Sequence, residues 1–93
     1  MINKVAIVTG ASKGIGASTA LLLAKNNFNV AIVYKSSDLE AKKVLKDCNK
    51  YSSNIMIKAD VTNDKACQKV IKETEKKLGS VNILVNNAGK TKF

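Results

Sequence analysis

The sequence predicts an α/β fold: an open, doubly wound parallel sheet in the layout β-α-β-α-β-α-β, with strand order 3-2-1-4. Three observations predict it. Short apolar runs rich in Val and Ile alternate with longer stretches whose apolar residues recur at helical spacing. Every strand is separated from the next by a helix, which makes neighbouring strands parallel, and right-handed crossovers then set the order. Three glycines, at positions 10, 14 and 16, fall between the first strand and the first helix, where a tight turn is required.

The first strand covers residues 4–9, and its core Val5, Ala6, Ile7 and Val8 reads as buried on both faces. The glycine turn follows. Gly10 allows a sharp bend, Gly14 allows backbone to approach a phosphate without an intervening Cβ, and Gly16 allows the helix to pack close. The first helix covers residues 14–26, with Ile15, Thr19, Leu22 and Leu23 expected on its inward side and Asn26-Asn27 as the stop. A second strand is expected over residues 29–34. Ser36, Ser37 and Asp38 all suit the N-cap of the next helix, which runs to about residue 50 with Ala41, Val44, Leu45 and Cys48 on one face. The third strand is residues 55–59. The third helix is residues 63–78, burying Ala66, Cys67, Val70, Ile71, Thr74 and Leu78, and it stops at Gly79. Residues 81–85 form the fourth strand, closed by Asn86-Asn87-Ala88-Gly89. The first two helices fall on one face of the sheet and the third on the other. The winding reverses between strands one and four, so the glycine turn and residues 86–89 open on one crevice, where ligands of such sheets bind.

Composition narrows the function. Ninety-three residues make one domain. The net charge of +9 comes from lysine alone, and asparagine is also abundant, as A-rich codons would produce. The lysines are dispersed and no aromatic residues interleave with them, which argues against nucleic-acid binding. Cys48 and Cys67 are far apart and on apolar stripes, so they read as reduced core residues of a cytoplasmic protein. With no histidine and no cysteine cluster, no metal site is expected. No apolar run is long enough for a membrane span, and no signal peptide is visible.

The stretch Thr9-Gly10-Ala11-Ser12-Lys13-Gly14-Ile15-Gly16 resembles the T-G-x-x-x-G-x-G cofactor motif of the short-chain dehydrogenase/reductase family, a family of Rossmann-type oxidoreductases. Asp60-Val61-Thr62 is similar to its acidic pair after the third strand, and Asn86-Asn87-Ala88-Gly89 matches its N-N-A-G motif. The resemblance covers the whole chain and is closest to the 3-oxoacyl-acyl-carrier-protein reductase branch. It implies that Gly10, Ser12, Lys13, Gly14, Ile15 and Gly16 line the pyrophosphate and adenosine ribose of a nicotinamide dinucleotide. It places Asp60 on the adenine amino group with Val61 beside the ring, and Asn87, Ala88 and Gly89 near the nicotinamide ribose. Without the resemblance, Asp60 reads equally as a turn or N-cap residue, and the asparagine turn as a structural tie between strands.

The cofactor's form follows from charge. An NAD enzyme places an acid at the end of the second strand, to accept from the ribose 2′-OH. Here that place holds Lys35, flanked by Tyr34 and Ser36-Ser37, with Lys13 nearby in the glycine turn. Ammonium and hydroxyl groups suit a 2′-phosphate, so NADP is expected, with NAD as the alternative. The family's Tyr-x-x-x-Lys pair is absent: Asp38 lies four places after Tyr34, and Ile55 four after Tyr51. Residues 1–93 are therefore expected to be a partial cofactor-binding domain, with no catalytic residue and no activity alone. The complete enzyme would transfer hydride between nicotinamide and a small carbonyl or alcohol substrate as a homo-oligomer. A non-catalytic nucleotide-binding module or an inactive truncated remnant is the alternative. The fourth strand is expected to be an open apolar edge that makes the piece marginal or prone to associate.

Overall fold

The computed structural model describes residues 3–93. In chain order the elements are β1 (Val5–Thr9), α1 (Gly14–Lys25), β2 (Asn29–Tyr34), α2 (Asp38–Cys48), β3 (Ile55–Lys58), α3 (Asp64–Lys77) and β4 (Ile83–Val85). The four strands form one parallel sheet in the order β3-β2-β1-β4. This is the predicted layout, with element ends shifted by one or two residues.

Asparagines set several of those ends. Asn82 starts the pairing of β4 with β1: its side-chain oxygen accepts from Val5 N–H at 2.8 Å, and its own N–H donates to the Val5 carbonyl at 2.8 Å. Asn54 does similar work at the foot of β3, accepting from Val30 N–H at 2.7 Å. Asn27 ends α1 in the left-handed conformation at φ 67°. There Asn27 N–H bonds to the Ala24 carbonyl and Phe28 N–H to that of Leu23, while Phe28 and Leu23 both pack on the same core. That combination is the Schellman stop, with asparagine in the position that glycine usually takes.

The sheet is covered on both faces. Val8, Val30 and Ile32 pack against Ala20 and Ala24 of α1 and Cys48 of α2. Ile7, Ala31 and Val33 face the other way, against Val61 and against Cys67 and Val70 of α3. The two central strands, β1 and β2, are buried along almost their whole length, which accounts for their unbroken apolar runs. Both cysteines are buried and free, and burial together with the Asp47 carboxylate pushes the Cys48 thiol up to about 11.

The inward face of α1 departs from the expectation. Gly16, Ala20 and Ala24 are its buried residues, whereas Ile15 is 77% exposed and Leu22 61% exposed. Leu23 is half-buried and flanks the contact. The small i, i+4, i+8 stripe lets the helix lie close on the sheet and beside α2, an approach that the larger side chains would prevent. On α3 the buried residues are Cys67, Val70 and Thr74, with Ile71 at the margin at 37% exposure. The expected open edge is present at β4. Leu84 shares the α3 face with its register partner Ile7, Ile83 faces the α1 side, and the two are 39% and 37% exposed.

Ala20→Leu is expected to lose about 1–3 kcal/mol by overpacking the helix–sheet contact, while Leu22→Ala changes stability by no more than about 0.5 kcal/mol. Urea unfolding followed by circular dichroism measures both, and the reverse ranking would contradict the observed rotation of α1.

Candidate functional site

The carboxyl ends of β1 and β4 are fastened to each other through Thr9, a fully buried residue. Its hydroxyl accepts from Asn87 N–H at 3.0 Å and from Ala88 N–H at 3.1 Å, and donates to the Val85 carbonyl at 3.4 Å. A hydroxyl has one donor and two acceptor sites, so its capacity is used in full. The Asn87 side chain adds a bond from Nδ2 to the Gly10 carbonyl at 3.2 Å, tying the asparagine turn to the glycine turn.

The glycine turn is shaped by these contacts. Gly10 has φ +60°, and a Cβ on it would lie 3.2 Å from the Ala88 Cα. Gly16 is more restricted: a Cβ there would run into the Gly10 carbonyl oxygen and lie 2.6 Å from Asn87 Nδ2. Gly16 therefore serves the contact between the start of α1 and the turn itself, so that the helix begins directly above the end of β1. No side chain caps this start. The N-cap is Lys13, without a capping bond, and no acidic residue lies in the first turn. By contrast Asn63 caps α3 by accepting from Ala66 N–H, and α2 carries Asp38 and Glu40 in its first turn. The first amides of α1 are left for another acceptor, at the positive end of the helix dipole.

Beside this turn lies an open cleft of about 300 Å³. It is lined by Gly10, Ser12 and Lys13 from the glycine turn, by Tyr34, Lys35 and Ser36 from the end of β2, by Asp60 and Val61 after β3, and by Ala88 after β4. Nine of the residues singled out in the sequence thus meet in one space. Gly14, Ile15, Gly16, Asn87 and Gly89 do not line it. Gly16 and Asn87 shape the turn from behind, and Ile15 points to solvent. Ser37, Thr62 and Lys90 line the cleft as well: Ser37 was read beside Lys35, Thr62 only as part of the acidic motif, and Lys90 was not singled out. Ser37 holds a left-handed backbone at φ 68° as the N-cap of α2.

Asp60 occupies the turn role that its sequence context allowed, and it also faces the cleft. Its Oδ1 accepts from Thr62 Oγ1 at 2.6 Å and Thr62 N–H at 3.0 Å, while Oδ2 lies 3.9 Å from Lys35 Nζ. The Thr62 side-chain and backbone bonds, with help from Lys35, hold its carboxyl below the usual carboxylate range. A lowered value in the folded state favours folding above the ordinary carboxylate range, and that contribution disappears as pH falls through the lowered value. Tyr34 is almost buried, and desolvation followed by the Asp38 carboxylate raises its hydroxyl above the ordinary tyrosine value.

The family model described as short chain dehydrogenase matches residues 4–93. The chain belongs to the short-chain dehydrogenase family. Among its relatives is the 3-oxoacyl-acyl-carrier-protein reductase FabG of Staphylococcus epidermidis, 45% identical over 92 residues, which are 98% of this chain and 38% of the relative. General stress protein 39 of Bacillus subtilis is 36% identical over 94% of this chain and 31% of its own length. A short-chain dehydrogenase/reductase from Serratia marcescens superposes with TM-score 0.89 at 36% identity, covering 96% of this chain and 37% of that one. Acetoin dehydrogenase YohF of Salmonella typhimurium superposes with TM-score 0.84 at 35% identity, covering 97% and 38%. The chain therefore spans about a third of the length of these relatives, between 31% and 38%. Among the described residues no helix is long and apolar enough to cross a membrane, and no group of three or more His, Cys, Asp or Glu residues could hold a metal ion.

Two outcomes follow from the site's own bonds. Thr9→Val leaves two amides without their acceptor and is expected to cost about 1–3 kcal/mol, with faster amide exchange at Asn87 and Ala88 that Thr9→Ser restores. Unchanged exchange would show that the hydroxyl does not hold the turn. Thr62→Val is expected to move the Asp60 carboxyl back up toward the ordinary range, read by NMR titration of its carboxyl carbon. An unmoved titration would assign the lowering to Lys35 instead.

Proposed function

We propose that this short-chain dehydrogenase chain is the NADP(H)-binding portion, over residues 1–93, of an oxidoreductase. The observation that carries this reading is the cleft itself. It opens at the carboxyl ends of the central strands, beside the uncapped start of α1, and Lys13 and Lys35 line it, while the family whose model matches is one of dehydrogenases. Such a place suits a dinucleotide, because amides and a helix dipole favour the diphosphate and lysines favour further phosphate.

In this reading the glycine turn, from Gly10 to Gly16, receives the diphosphate. Asp60 accepts from the adenine amino group and Val61 packs on the ring. Lys35, Ser36 and Lys13 hold a 2′-phosphate, and Tyr34 forms the floor beside it. Ala88 and Gly89 run alongside the nicotinamide ribose, with Asn87 holding the turn. The bound cofactor supplies the hydride chemistry, and this portion supplies binding and orientation. No residue of the chain is assigned to proton transfer. The complete enzyme would act on a carbonyl or alcohol carbon, and its likeness to the 3-oxoacyl-acyl-carrier-protein reductase of Staphylococcus puts a 3-oxoacyl thioester of acyl carrier protein first among substrates. The two free, buried cysteines suit a cytoplasmic setting.

Titration of the chain with NADPH and NADH, followed by cofactor fluorescence, is expected to show tighter binding of NADPH. Lys35→Asp is expected to shift the ratio toward NADH by about tenfold, equivalent to about 1.4 kcal/mol. An unchanged ratio would contradict the NADP assignment, and binding of neither dinucleotide would contradict the cofactor assignment.

A further inference from the structure

The residues after β4 do not leave the sheet; they cross back over it. Ala88 N–H is held by Thr9 Oγ1 at 3.1 Å, and Thr91 Oγ1 is 3.2 Å from Asn86 Oδ1. Lys92 N–H then donates to the Val61 carbonyl at 2.8 Å, and Phe93 packs on the α3-side core. Residues 88–92 therefore form a strap from the end of β1 and β4 to the exit of β3. Lys90 sits at its midpoint, fixed two residues away on either side, and lines the cleft.

The cleft's charges are unbalanced. Three lysines line it, Lys13, Lys35 and Lys90, against one carboxylate, Asp60. That carboxylate is already engaged, one oxygen by Thr62 and the other by Lys35. Among the described residues neither Lys13 nor Lys90 has a carboxylate within ion-pair distance. A diphosphate at the start of α1 is matched by the helix dipole. A further phosphate carries a charge of about −1.5 to −2 at neutral pH; Lys13 and Lys35 face it in the reading above, and Lys35 is shared with Asp60, so a third ammonium completes its neutralisation.

We propose that Lys90 is a specificity-determining residue of the cleft, which supplies from the strap the ammonium that selects an adenosine ligand bearing a phosphate beyond the diphosphate. The inference rests on the dinucleotide reading above and adds a residue that sits outside the glycine, acidic and asparagine motifs. It makes the strap, and not only the end of β2, a determinant of preference for a 2′-phosphate.

The test uses the 93-residue chain and its Lys90→Met variant, titrated with NADPH, NADH, 2′,5′-ADP and 5′-ADP, with Lys90→Arg as the charge-retaining control. Lys90→Met is expected to weaken NADPH and 2′,5′-ADP about fivefold, the size of a partly exposed charge contact. NADH and 5′-ADP should change less than about twofold by the same reasoning, and Lys90→Arg should keep the wild-type pattern. Identical circular dichroism and melting of the three proteins show that the strap has not been lost. Equal weakening of all four ligands would place Lys90 on the shared diphosphate and overturn the proposal, as would no weakening at all. A wild-type chain that binds NADH as well as NADPH overturns this inference and leaves the cofactor cleft standing, whereas a chain that binds no dinucleotide overturns both.

Discussion

One hydroxyl fastens the strand ends on which the cleft is built. Burying a polar group among apolar side chains costs free energy unless its bonds are satisfied, and Thr9 satisfies all of its own at the one place where β1, β4 and the asparagine turn converge. Everything at the mouth of the sheet is positioned from there. Gly10 turns at φ +60° hard against Ala88, a backbone that strains any side chain, and the Gly10 carbonyl lies close enough to α1 that only glycine fits at position 16. The helix then starts directly over the strand end, with its first amides free. A change of a single methyl group at either glycine would push apart parts that the Thr9 bonds draw together.

The electrostatics are laid over that frame and act through exposed groups. Lys35 and Asp60 approach to 3.9 Å with both side chains largely in water, a pair of small energetic value in the folded protein. Its significance lies in position, because it spans the mouth of the cleft between the end of β2 and the turn after β3. A ligand carrying phosphate offers Lys35 a more highly charged partner than the carboxylate, and leaves the Asp60 oxygen available as an acceptor. The Thr62 bonds, more than Lys35, hold that carboxyl below the usual carboxylate range.

Much of the fold was legible in the residues. Unbroken Val/Ile runs separated by helices left one sheet order, and the stops at Asn27 and Gly79 both take positive φ. The helix face of α1 was misread because Ile15 and Leu22 carry more hydrophobic area than Gly16, Ala20 and Ala24. Periodicity weighs size, whereas close packing on a sheet rewards smallness. The nine cleft residues were found because each belongs to a contiguous motif at a strand end. Lys90 was missed because it belongs to none: the strap that carries it is set by long-range bonds from Ala88 to Thr9 and from Lys92 to Val61. Thr9 was visible as part of the glycine motif, but its work depends on contacts 76 to 79 residues away, which no local pattern records.

The most direct test of the crevice is NMR observation of backbone amides during titration with NADPH. Binding at the mouth of β1 and β4 predicts the largest shifts at residues 12–16, 35–37, 60–62 and 88–90. Shifts confined to the groove between β3 and α3, around Lys58, Ala66 and Lys69, with residues 12–16 unmoved, would contradict it.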